Sequence, residues 1–163
     1  MKKYLWAIIL IILSFADTTY VFGQEYEALK GLKSIKAVFE FRKDDPKSAA
    51  FYLNAIHQTF KDKNITAVTE DPDFVVVFTG PGVKILSKNK EGFPPEEHEI
   101  IDKIADIISA MVKDGIKMEI CLVASNIHGV DPESVLPDIK HVYNGWISLI
   151  GYQNNGYSLI VTY

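Results

Sequence analysis

The chain has 163 residues, 17 Lys+Arg against 21 Asp+Glu for a formal charge of -4, and 48% hydrophobic residues. That length suits one domain, the apolar content excludes intrinsic disorder, and an acidic balance with no block of Lys/Arg leaves no footprint for nucleic acid. A single cysteine excludes an intramolecular disulfide, and the Cys and His residues lack zinc-ligand spacing, so stability must come from packing.

Lys2 and Lys3, the apolar run Tyr4 to Phe15, and the small and polar residues after it have the layout of an export signal over residues 1–23. A cut after Gly23 puts Val21 and Gly23 at the small-residue positions. The run of about 12 residues is short of the ~20 of a membrane span, and Asp17 follows it. No stable span is expected in the mature form, which is expected to be periplasmic or secreted; an uncleaved anchor is the alternative.

Residues 24–34 form a lead-in with Tyr26, Leu29 and Leu32, read as a short helix. Ile35 to Phe41 carries β-branched and aromatic residues in partial alternation and stops at Arg42-Lys43-Asp44-Asp45, which marks a first strand. Asp44 or Asp45 then caps a helix opened by Pro46, with Ala49, Tyr52, Leu53, Ile56 and Phe60 at helical spacing as far as Lys61. After a turn at Asp62 and Asn64, Phe74 to Phe78 is continuously apolar and ends at Thr79-Gly80-Pro81-Gly82. Such a run fits a central parallel strand covered on both faces.

Val83 to Leu86 suggests a short helix. A long one follows from Pro95 to Lys113, with Glu96, Glu97 and Glu99 in its first turn, Gly115 past its end, and a stripe of Ile100, Ile101, Ile104, Ile107, Ile108, Met111 and Val112. Ile116 to Val123 reads as a strand, Ser125-Asn126 as the start of a helical turn, and Gly129-Val130-Asp131-Pro132 as its break. A short helix to Leu136, a short strand from Ile139 to Tyr143, a helix from Asn144 to Gln153, the turn Asn154-Asn155-Gly156 and a closing strand from Tyr157 to Tyr163 complete the pattern. Alternation of strand and helix gives a three-layer α/β sandwich on a mostly parallel five-stranded sheet, spanning residues 35–163.

In such sheets ligands bind beyond the carboxyl ends of the strands, in the loops after Phe41, Phe78, Val123 and Val142. Gly80 and Gly82 lie in one of these loops, either as a plain turn or as part of an anion pocket lined by backbone amides. Cys121 lies near another, either as a small buried hydrophobe or as a thiolate nucleophile favoured by a following helix start. Ser125, Asn126 and His128 are its candidate supports. His57, His98 and His141 share no ligand spacing, so no metal is assigned, and no cofactor motif or G-x-S-x-G turn is present.

Phe74 to Phe78 with Gly80-Pro81-Gly82-Val83, the segment Asp114 to Cys121, Gly129-Val130, and Asn144 to Gln153 with Gly156-Tyr157 together resemble the DsrE/DsrF-like family of sulfur-metabolism proteins. The similarity runs from about Ile35 to Tyr163. It implies a five-stranded α/β sandwich assembled as trimers or hexamers, in which a single cysteine after the third strand carries sulfur as a persulfide between partner proteins. Cys121 falls at that position, and His128 precedes the glycine where related sequences often have a basic residue. The expected function is therefore an exported, sulfurtransferase-like persulfide carrier served by a donor or acceptor protein. The alternative is a non-catalytic oligomeric binding or assembly module of the same fold.

Overall fold

The computed structural model describes residues 26–163. The export signal expected over 1–23 lies outside the described residues, as do Gln24 and Glu25 of the lead-in.

The apolar run read as the central strand is β2, Asp73–Phe78, and all but its first residue are buried. It lies between β1, Lys36–Phe41, and β3, Lys117–Cys121; β4, Lys140–Val142, and β5, Ser158–Thr162, form the edges in the order β4-β3-β2-β1-β5. Every pairing is parallel, so the sheet expected to be mostly parallel is wholly so. The register aligns Phe41 with Phe78, Phe78 with Ile120, and Cys121 with Val142. This brings four strand ends to one rim.

Side-chain alternation gives the two faces of the sheet different chemistry. Ala37, Phe39, Phe41, Phe74, Val76, Phe78, Met118 and Ile120 face the large core under α1, Pro46–Phe60, and α3, His98–Lys113. Asp45 caps α1 by accepting a 2.7 Å hydrogen bond from the Ser48 amide. The stripe Ile101, Ile104, Ile107, Ile108 and Met111 seats α3 on this face. Its end is a Schellman motif: Gly115 has φ 100°, its amide donates to Val112 O, and the Ile116 amide donates to Met111 O.

Between α1 and β2 the expected turn contains one helical turn, α2, Lys63–Thr66, capped by Asp62. The Gly80–Leu86 and Pro132–Ser134 segments are 3-10 helices, as is the lead-in turn Glu27–Leu29. The strand expected to reach Val123 stops at Cys121, and α4 runs from Leu122 to Ile127. The turn is made there because Cys121 caps the helix through both its side chain and its carbonyl. Its Sγ accepts from the Ala124 amide at 3.4 Å and its carbonyl accepts from Ser125 Oγ at 3.0 Å.

The opposite face of the sheet is covered by α5, Gly145–Asn154. Leu149 of α5 packs on Val38, Val75 and Val77, with the rings of Tyr152 and Tyr157 against them, and polar contacts lie beside this small cluster. Asp73 accepts two hydrogen bonds from Lys117 Nζ, at 2.8 and 2.9 Å, and one from the Tyr157 hydroxyl at 2.6 Å. Burial opposes ionisation of Asp73. The hydrogen bonds from Lys117 and Tyr157 and the charges of Lys117 and Lys36 outweigh it and hold the carboxyl below the usual aspartate value.

A carboxyl that is more acidic in the folded state contributes stability that is complete above its unfolded pKa and lost as pH falls through the lowered folded value. Asp73→Asn should therefore reduce stability at neutral pH and flatten the loss of melting temperature that the unaltered protein shows below about pH 4. Thermal melts across that range check this; parallel curves for the two proteins would refute it.

Candidate functional site

The rim where β1, β2, β3 and β4 end is shaped by two close backbone approaches. At Gly145, the first residue of α5, a Cβ would lie 2.9 Å from Thr79 Cγ2 and 3.1 Å from Cys121 Cβ. The lack of a side chain lets the helix rest on the ends of β2 and β3. Asn144 caps that helix by accepting from the Trp146 amide at 3.0 Å. At Gly82 a Cβ would meet Phe41 O at 2.7 Å and Arg42 Cα at 2.9 Å. The loop after β2 therefore packs directly on the backbone that leaves β1.

That packing brings Arg42 into the site. Its Nη1 donates to Glu40 Oε1 at 3.3 Å, and the same oxygen accepts from Thr79 Oγ1 at 2.9 Å. The guanidinium lies over Gly80, where a Cβ would sit 3.2 Å from Nη2. Gly80 also has φ +50°, a backbone conformation favouring glycine. A glutamate on β1, itself bonded by the threonine that follows β2, thus holds the arginine from behind.

Cys121 is 6% exposed, and its side chain lines a cavity of about 230 Å³ with Arg42, Thr79, Gly80, His128 and Trp146. No Asp or Glu lines this cavity. Val123, Ala124 and Ile127 supply apolar wall, so one permanent cation and one thiol face a partly greasy hollow. A larger hollow of about 790 Å³ lies between α1, β1 and β5 beneath the lead-in turn, with Leu29, Leu32, Phe39 and Ile160 in its walls. It contains no cysteine or histidine, and nucleophilic chemistry is better placed at the smaller site.

The residues singled out from the sequence separate here. Cys121, His128 and Gly80 share the cavity. Gly82 is buried beneath it, and its amide donates to Thr79 O, so its part is to seat the loop. Ser125 is fully buried with its hydroxyl on the Cys121 carbonyl, and Asn126 is exposed outside the cavity. Arg42, Thr79 and Trp146 were not among the expected residues. Arg42 immediately follows Phe41, at one of the strand ends that the sheet rule marks for ligands, and that position was the available signal. Among the described residues no cluster of three His, Cys, Asp or Glu could hold a metal ion.

Gly145→Ala should lower stability by about 1–3 kcal/mol through overpacking and change the alkylation rate of Cys121. Urea unfolding and iodoacetamide kinetics measure both. Gly151→Ala on the same helix is the control, because nothing lies within 4 Å of the added Cβ. Equal behaviour of the two variants would contradict the contact.

A model of the DsrE/DsrF-like family matches residues 36–162. No curated protein matches the chain. Among solved structures, the chain is similar to a protein of unknown function, MTH1491 from Methanobacterium thermoautotrophicum, with a TM-score of 0.60 at 19% identity, covering 79% of this chain and 100% of that one. It is also similar to the ychN protein from E. coli, with a TM-score of 0.55 at 11% identity, covering 80% of this chain and 100% of that one. At these identities the two likenesses bear on the fold.

Proposed function

The chain belongs to the DsrE/DsrF-like family, and from that premise we propose that it is an exported sulfur carrier whose Cys121 holds sulfur as a persulfide. The observation that carries this reading is that the chain's one cysteine lines a small hollow at the strand ends beside a guanidinium. In the first step the Cys121 thiolate attacks the sulfane sulfur of a donor. A sulfur–sulfur bond forms at Cys121, the donor's bond to that sulfur breaks, and the leaving group takes the electron pair. In the second step an acceptor thiolate attacks the outer sulfur and Cys121 leaves as thiolate. Arg42 and the Ala124 amide are positioned to stabilise negative charge on sulfur through both steps.

Incubation with a sulfane-sulfur donor should add one sulfur atom to the intact mass, and Cys121→Ser should abolish the addition. Addition that survives the substitution, or no addition from several donors, would overturn the proposal. The near-complete burial of Cys121 favours a second reading, an assembly module with an inert thiol. That reading predicts slow alkylation of the native protein.

Export follows from the layout of residues 1–23, and sequencing the mature N-terminus tests it. Among the described residues no helix is long and apolar enough to cross a membrane.

The same reading includes assembly of identical subunits through α5. The helix carries no charged residue, and Trp146, Ile147 and Ile150 on its outer side are 65%, 66% and 59% exposed. Three large apolar side chains exposed together on one helix form the kind of patch that marks an interaction surface. Tyr143, just before the helix, is 78% exposed, and Ile127, which shares the cavity wall with Trp146, is 71% exposed, so the exposed apolar surface extends past the helix. A second copy presenting the same uncharged surface is the occupant we assign. Ile150→Glu should shift the protein to monomer in light scattering while leaving the fold intact; an unchanged mass would place the interface elsewhere.

A further inference from the structure

We propose that the cavity takes a small sulfur oxyanion as its sulfur donor, with the donor's oxygens on Arg42 and its sulfane sulfur at Cys121. The inference rests on the carrier reading and adds the chemical class of the donor.

Three features point to this class. The first is size, since about 230 Å³ suits a compact anion rather than the body of a peptide. The second is charge. Arg42 is the permanent cation of the lining, which contains no carboxylate, and His128 adds a second group able to carry positive charge. The third is orientation. Glu40 holds Nη1, while Nη2 lies over Gly80 on the cavity wall, and among the described residues no protein atom accepts from Nη2 or Nε of this partly exposed side chain. An arginine fork held from one side offers its other donors to two oxygens of a planar or tetrahedral oxyanion. A bare polysulfide has no such oxygens. The apolar wall of Val123, Ile127 and Trp146 provides a contact for the sulfur end.

With thiosulfate the step balances without a co-reactant. The Cys121 thiolate attacks the outer sulfur, the new sulfur–sulfur bond forms at Cys121, the sulfur–sulfur bond of thiosulfate breaks, and sulfite leaves with the electron pair. Arg42 binds the group that becomes sulfite and is a candidate for its release.

The test compares two donors, sodium thiosulfate and inorganic polysulfide, by the rate of sulfur addition to the intact protein. The unaltered protein should load from both. Arg42→Gln should slow loading from thiosulfate by about 10- to 100-fold and loading from polysulfide by a clearly smaller factor, because polysulfide loses only the stabilisation of charge on sulfur, with Arg42→Lys in between. In the unaltered protein, methanesulfonate should slow loading from thiosulfate but not from polysulfide. This arm decides the matter even where an Arg42 variant fails to fold. Loading from polysulfide alone would overturn the donor class and leave the carrier reading standing, as would an equal loss of both donors in Arg42→Gln. Loading from neither donor would overturn both.

Discussion

The missing side chain at Gly145 is the constraint on which the site depends. Helix α5 meets the ends of β2 and β3 at a distance that any Cβ would prevent, with Thr79 and Cys121 directly beneath. The approach closes one side of the hollow and presses the first turn of α5 beside the thiol. Gly82 makes an equivalent contact on the other side, where the loop after β2 lies on the backbone of Phe41 and Arg42. Gly82 thereby sets the backbone from which Arg42 leaves, and Gly80 and Glu40 set where its guanidinium lies. The cost of an added methyl at Gly145 or Gly82 follows from the density of protein interiors, where a neighbour has little room to retreat.

Helix α5 is held at its far end by directional bonds. Tyr152 donates to Glu119 Oε1 at 2.9 Å, and Tyr157 donates to Asp73 at 2.6 Å. The two rings pack edge to face with centroids 4.9 Å apart, and burial together with Glu119 pushes the Tyr152 phenol well above its ordinary value. The sheet face under α5 thus carries Glu40, Asp73 and Glu119, each with a hydrogen-bonded partner. The other face is apolar throughout its buried length. Packing against α1 and α3 accounts for the bulk of the hydrophobic burial, while polar pairs fix the register of the thinner layer. Bonds of that kind lose strength faster than apolar contacts when misaligned, so α5 has a single well-defined seat.

The sequence made much of this architecture legible, for reasons that belong to particular residues. Phe74 to Phe78 is apolar on both faces because both faces are covered, and that signature is unambiguous. The end of β3 was less readable. Leu122 and Val123 continue the apolar run, and what stops the strand is capping by Cys121, which involves a sulfur acceptor rather than the usual oxygen. The site divides along the same line. Cys121 and His128 could be found from position along the chain. Arg42 could not be told from a solvated loop cation, because its place is set by glycines forty residues away. Asn126 shows the converse, since proximity in sequence to Cys121 put it on the outer side of a short helix.

These points bear on the choice between a reactive and an inert thiol. A cysteine buried only to fill space is expected among apolar neighbours, and part of the surroundings of Cys121 fits that description, with Ala124 and Val123 beside it. The remainder does not. Packing alone gives no reason to bring an arginine into the same hollow, to hold it with a Glu40 that Thr79 also bonds, and to keep carboxylates out of the lining. The Arg42 side chain is 37% exposed with one donor on Glu40, so its other donors are open to an anion that enters the hollow. The thiolate, the persulfide and a sulfur oxyanion are anions that this chemistry can place there, which is why the reactive reading accounts for more of the observed geometry than the inert one.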